Sequence, residues 1–110
     1  MHIAIRKETN ALVVSVIGRM DAVTAPEFDK SINELIACGE RAFLVNLSGL
    51  EYISSAGLRS ILAFAKRLKE QDGKLLFSGL QGHVREVFSI SGFLGIFKVY
   101  DSDVEALKDI

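Results

Sequence analysis

Phe43-Leu44-Val45-Asn46-Leu47-Ser48-Gly49-Leu50-Glu51-Tyr52-Ile53-Ser54-Ser55-Ala56-Gly57-Leu58 decides how this chain folds. An apolar strand runs into a short polar turn, and two serines then stand at the mouth of a long amphipathic helix. That helix reads from about Ser55 to Gln71. Leu58, Ile61, Leu62, Ala65 and Leu68 share one face, Arg59, Lys66, Arg67 and Glu70 lie mostly away from it, and Asp72-Gly73 stops it. Serine before a helix is a common N-cap. The first turn of a helix also presents unpaired backbone N–H groups and a partial positive charge, which favour an anion. Taken alone, Ser54 and Ser55 read first as structural caps, and second as candidates to carry or bind a phosphate.

Outward from this segment the pattern alternates strands with helices. His2 to Arg6 and Ala11 to Gly18 read as a hairpin turned by Thr9-Asn10, the second strand valine-rich and buried. Arg19-Met20-Asp21-Ala22 reads as a loop. Thr24 and Glu27 form an expected capping box with Pro26 in the first turn, and Val23 and Phe28 suit the hydrophobic staple around it. Phe28, Ile32, Leu35 and Ile36 make an apolar stripe that ends at Gly39. Ala42 to Leu47 and Lys74 to Ser78 read as strands. Val84, Val87 and Phe88 give a short helix closed by Gly92, Ile96 to Tyr100 a last strand, and Ser102 with Glu105 the cap of a final helix. The order β-β-α-β-α-β-α-β-α predicts one α/β domain spanning residues 1–110. Its sheet is mixed, mainly parallel with an antiparallel N-terminal hairpin, and its helices pack mainly on one face.

Composition narrows the function. Thirteen basic and fourteen acidic side chains leave a net charge of −1, which is not the electrostatic footprint of a nucleic-acid binder. No apolar run is long enough to span a bilayer, and the N-terminus lacks a signal-peptide layout, so the expected location is the cytoplasm. The single cysteine, Cys38, forms no intrachain disulfide and reads as a small buried hydrophobe. His2 and His83 share no ligand spacing with Cys38 or with paired carboxylates, so no metal site is expected. There is no Gly-x-Ser-x-Gly elbow around Ser55, and His83 reads as a partly solvated surface residue, which argues against serine catalysis. Gly79-Leu80-Gln81-Gly82 follows a strand and precedes a helix, but it lacks the lysine and glycine pattern of a P-loop and reads as a turn.

The chain resembles the STAS domain family, in particular the bacterial anti-sigma factor antagonists. Gly18-Arg19-Met20-Asp21 with Thr24-Ala25 and Phe28 is similar to the family's first loop and helix start. Asn46-Leu47-Ser48-Gly49-Leu50 through Ile53-Ser54-Ser55-Ala56-Gly57-Leu58 is similar to its signature segment. Lys74-Leu75-Leu76-Phe77, Val84-Arg85-Glu86-Val87-Phe88 and Gly92-Phe93 resemble the later strand and helix. The resemblance implies Ser55 as phosphoacceptor, with Ser54 as the alternative. Ser54 stands where the family has an aspartate, and Asn46 where it often has a strand-end aspartate.

The resemblance further implies a non-enzymatic partner switch without a cofactor. The unmodified protein would bind an anti-sigma factor that is also a serine kinase. Phosphorylation would release it, and a serine phosphatase would restore the binding form. Asp21, Ser54, Ser55, Gly57 and Arg59 are the expected partner-binding residues, with Gly57 keeping the first turn slim, and the free protein is expected to be monomeric. Two rival expectations are a phosphorylation-independent STAS scaffold, such as a subunit of a lipid-transport complex, and a weak nucleotide-binding domain.

Overall fold

The valine-rich run Leu12–Met20 (β2) is the strand on which the computed structural model, describing residues 1–110, is organised. Along one edge it pairs antiparallel with His2–Lys7 (β1). Its other edge is shared. Leu12 to Ser15 pair in parallel with Ala42–Asn46 (β3), and Gly18 to Met20 pair in parallel with Leu50–Ile53 (β4). Beyond β3 come Lys74–Ser78 (β5) and Lys98–Tyr100 (β6), both parallel, so the six-stranded sheet runs β1-β2-β3-β5-β6 with β4 continuing along β2. The expected mixed α/β fold is the one observed.

β4 departs from the sequence reading, which places no strand between Leu47 and Ser55 and reads Arg19-Met20 as loop. Four residues behind Ser48-Gly49 carry too little periodicity to mark a strand. What makes them one is the open edge of β2, which must pair its backbone groups. The register shifts between Gly18 and Arg19, where Gly18 takes φ +102° and donates its N–H to the Gly49 carbonyl at 2.9 Å. A left-handed residue at this bend suits glycine alone.

Ala25–Ala37 (α1), Ser55–Glu70 (α2) and Gly82–Ile90 (α3) cover one face of the sheet. Strand side chains alternate between faces. Leu12, Val14 and Val16 therefore meet these helices, whereas Val13, with Leu44 and Leu76, meets Ala106 of Asp103–Lys108 (α4) on the other face. α4 starts as expected, with the Ser102 hydroxyl accepting from the Glu105 N–H at 3.3 Å. The last strand is shorter than expected: after the 3-10 turn of Phe93–Gly95 the Ile96 and Phe97 N–H groups both donate back to the Phe93 carbonyl, at 3.1 and 2.9 Å, so pairing with β5 begins only at Lys98.

Four local expectations give way to tertiary context. The Thr24 hydroxyl does not cap α1; it turns back to accept from the Asp21 N–H at 2.9 Å and lies 2.9 Å from the Arg19 carbonyl. Val23 is 81% exposed, so no staple forms with Phe28. Cys38 is exposed at the end of α1 rather than buried. The inner face of α2 is rotated from the expected stripe: Gly57, Ser60, Ile61, Phe64 and Leu68 are buried while Leu62 is 42% exposed. Phe64 draws the helix round, meeting Phe43 edge-on at 5.1 Å and Phe28 at 6.0 Å.

A polar cluster fastens α4 to the strand ends. The Asp103 carboxylate accepts from Asn46 Nδ2 at 3.0 Å to each oxygen and from Ser78 Oγ at 2.6 Å, with Arg6 at 3.5 Å. Asn46 Oδ1 in turn accepts from the Ser48 N–H at 2.9 Å and the Ser48 hydroxyl at 2.7 Å. An amide at position 46 can both donate to Asp103 and accept from Ser48; an ionised carboxylate there could only accept.

Two outcomes follow from this packing. Phe64→Ala should lower unfolding free energy by about 3–5 kcal/mol in a denaturant titration, because an aromatic group is removed from a site that cannot collapse. Asn46→Asp should destabilise the fold at neutral pH by setting two carboxylates against each other. The pair would hold a proton above the pH at which the unfolded chain releases it, so part of the stability returns as pH falls towards about 4, read by thermal melts across pH.

Candidate functional site

The start of α2 is built by β4. Ser54 follows its last residue directly and donates its N–H to the Met20 carbonyl of β2 at 2.9 Å. With extended backbone (φ −94°, ψ 176°), Ser54 is the N-cap. Its hydroxyl accepts from the Gly57 N–H at 3.3 Å, and its carbonyl accepts from the Leu58 N–H at 2.9 Å. Ser54 is half-buried in this duty. Ser55, the first helical residue, is exposed and its hydroxyl makes no hydrogen bond within the chain. The two serines that look alike in sequence thus separate into a cap and an exposed hydroxyl.

Gly57 is buried, not displayed. A Cβ added to it would stand 2.7 Å from Ile53 Cγ1 and 3.0 Å from both Met20 Cγ and the Met20 carbonyl oxygen. Its missing side chain lets the first turn of α2 press onto the ends of β2 and β4, which keeps that turn slim. Leu58 is half-buried against the main core.

Asp21 stands beside this site at the end of β2. Its Oδ1 accepts from the Val23 N–H at 3.0 Å and the Thr24 N–H at 3.1 Å, and lies 3.2 Å from the Thr24 hydroxyl. These bonds, that from the Thr24 backbone first, hold its carboxyl below the usual carboxylate range, against a smaller opposing effect of burial and with help from the Arg19 charge. Between this loop and α2 runs an open groove of about 330 Å³. Ala22, Pro26 and Asp29 form one wall; Ala56, Arg59 and Ser60 form the other. Asp21, Ser54, Ser55 and Arg59 therefore gather around one end of the molecule.

Sequence reasoning missed a stack next to this end. Register pairs Arg19 with Tyr52 across β2 and β4, and the guanidinium carbon lies 4.2 Å from the Tyr52 ring centre. The exposed His83, at the start of α3, lies parallel to the same ring at 5.1 Å and 5°. Period-2 pairing of residues 19 and 52 would have exposed the signal had β4 been seen. The Gly79 to Gly82 segment acts as the expected turn. Gly79 takes φ +74° hard against Ser48, its N–H donates to the Tyr100 carbonyl at 3.0 Å, and Gln81 Nε2 donates to the Ser48 carbonyl at 2.8 Å.

Comparison with known proteins places this architecture. The family described as STAS domain matches residues 2–106. A Bordetella bronchiseptica protein named as a candidate anti-sigma factor antagonist, BtrV, is 39% identical over 102 residues, 93% of this chain and 88% of BtrV. The crystal structure of an anti-sigma factor antagonist from Mycobacterium paratuberculosis superposes with a TM-score of 0.90 at 25% identity, covering 99% of this chain and 92% of that one. The Bacillus cell fate determinant SpoIIAA in its phosphorylated form shares the fold, with a TM-score of 0.78 at 21% identity and 98% of both chains covered.

The Asp21 bonds have a measurable consequence. A carboxyl whose folded pKa lies below its unfolded value stabilises the fold above the unfolded value, and that contribution is lost as pH falls through the folded one. Thermal melts of the wild type should therefore decline through the acid range, and Asp21→Asn should flatten that decline. Parallel melting curves for the two proteins would show that Asp21 does not hold the loop.

Proposed function

This chain belongs to the STAS domain family, and from that premise we propose that it is an anti-sigma factor antagonist working as a partner switch. In its unmodified form it binds an anti-sigma factor that is also an ATP-dependent serine kinase. The kinase modifies Ser55, and a serine phosphatase returns the protein to the binding form. The observation that carries the reading is the division of labour between the serines: Ser54 is spent on the cap, and Ser55 is exposed at the positive end of a 16-residue helix. The names of BtrV and of the Mycobacterium structure support the antagonist role.

In the transfer step the Ser55 oxygen bonds to the γ-phosphorus of ATP as the bridge to ADP breaks, and the hydroxyl proton passes to a base of the kinase. The protein supplies shape and an acceptor; it performs no chemistry of its own. Phosphate adds about −1.5 to −2 charges at neutral pH. The fold tolerates this charge, because the α2 N–H groups and dipole favour it. The complex does not: an interface covering Ser55 would have to desolvate the added negative charge, at roughly several kcal/mol. Asp21 shapes the loop beside that interface, and Ser54 keeps the helix start in place. The free protein is monomeric in this scheme. No helix is long and apolar enough to cross a membrane, and the scheme places the partner in the cytoplasm.

A phosphorylation-independent scaffold is the second reading, favoured by the neutral Ser54 where the family carries an aspartate. The two separate cleanly. Incubation with ATP and a serine kinase encoded beside this protein should place one phosphate on Ser55, mapped by mass spectrometry. Ser55→Ala should abolish it, and Ser54→Ala should retain it on Ser55. Ser55→Asp should weaken binding to that kinase by at least tenfold in calorimetry. Unmodified serines and undiminished binding of Ser55→Asp would favour the scaffold.

A further inference from the structure

Arg59 lies four residues after Ser55 on the same helix, and both are exposed. Side chains at this spacing lie one above the other, with Cβ atoms about 5–6 Å apart. The order is the favourable one, anion towards the N-terminus and cation towards the C-terminus. Arg59 takes part in none of the chain's ion pairs, which involve Arg6 and Lys7. The next basic residues along α2 are Lys66 and Arg67, about two turns further on, and Arg67 already donates to Asn33 at 2.6 Å. Arg59 is thus the one cation of α2 within reach of its first turn.

Resting on the reading of Ser55 as phosphoacceptor, we infer that Arg59 is the latch for that phosphate. The unmodified protein offers its guanidinium to the partner along the groove beside Ala56, and phosphorylation withdraws it. A guanidinium can grip two phosphate oxygens at once through its planar fork of N–H donors. Asp29 is the carboxylate that shares the groove with Arg59, and it forms no ion pair with it. Asp21 is occupied by the Val23 and Thr24 N–H groups, and Arg19 by the Tyr52 ring. The neutral Ser54 fits the same scheme. An aspartate cap would hold a second negative charge next to the phosphate and compete for both Arg59 and the helix dipole, whereas a hydroxyl caps Gly57 without competing. Phosphorylation then acts twice on the interface, by adding a charge and by removing the arginine that met the partner.

The test uses the full chain with phosphoserine installed at position 55 by genetic encoding, so it needs no kinase. The second ionisation of the phosphate is followed by phosphorus NMR in the wild type, in Arg59→Gln and in Arg59→Lys. The latch predicts that the titration midpoint rises by about half a unit in Arg59→Gln and recovers in part in Arg59→Lys. It also predicts that the difference fades in high salt. Coincident midpoints in all three proteins overturn it. Binding of the kinase partner is measured in parallel. Arg59→Gln in the unmodified protein should weaken it several-fold, and unchanged affinity overturns the offered-arginine half of the inference. If phosphoserine 55 leaves partner affinity intact while the midpoints shift as expected, the switch reading and the offered-arginine half both fail, and only the pairing of Arg59 with the phosphate stands.

Discussion

The parallel pairing of Gly18 to Met20 with Leu50 to Ile53 is the contact on which the rest of the site depends. It turns the second half of β2 into a seat for β4, and the hydrogen bond from the Ser54 N–H to the Met20 carbonyl ends the pairing where the helix must begin. Gly57 completes the joint, because any side chain there would collide with Met20 and Ile53. The N-terminus of α2 is therefore clamped by backbone on two sides. A helix end held this firmly keeps its N–H groups aimed in one direction, which a docking surface or a bound charge requires.

The same joint explains how two adjacent serines come to differ. Extended backbone at Ser54 turns its hydroxyl inward over the first turn, and the helical residue after it turns outward. In sequence both are plausible caps. Only the direction in which β4 delivers the chain tells them apart.

The departures from the family pattern have local physical answers. Asn46 sits between the Asp103 carboxylate and the Ser48 hydroxyl, so it must donate on one side and accept on the other, and an amide does both. The strand end instead faces a carboxylate on α4, that of Asp103. That carboxylate is satisfied by Asn46, Ser78 and Arg6 instead of standing alone. At position 54 a hydroxyl serves as cap without a charge, and the helix start stays formed.

What the sequence determined by itself is whatever rests on near-neighbour chemistry and on periodicity. β5 begins and ends where its apolar run does, α2 where the serines and Asp72-Gly73 bound it, and α4 where Ser102 caps it. The mixed topology followed from the alternation of elements, and the placing of a serine pair at the start of α2 from its position ahead of the apolar stripe. Tertiary structure alone decided β4, the rotation of α2 onto Phe64, the exposure of Val23 and Cys38, and the burial of Gly57. It also decided the stacking of Arg19, Tyr52 and His83, residues brought together from three separate elements. Each of these turns on a partner distant in the chain, such as an unsatisfied strand edge, an aromatic cluster or a close helix approach. A window of neighbouring residues holds no record of what will lie against it, so these features arise only when the sheet closes.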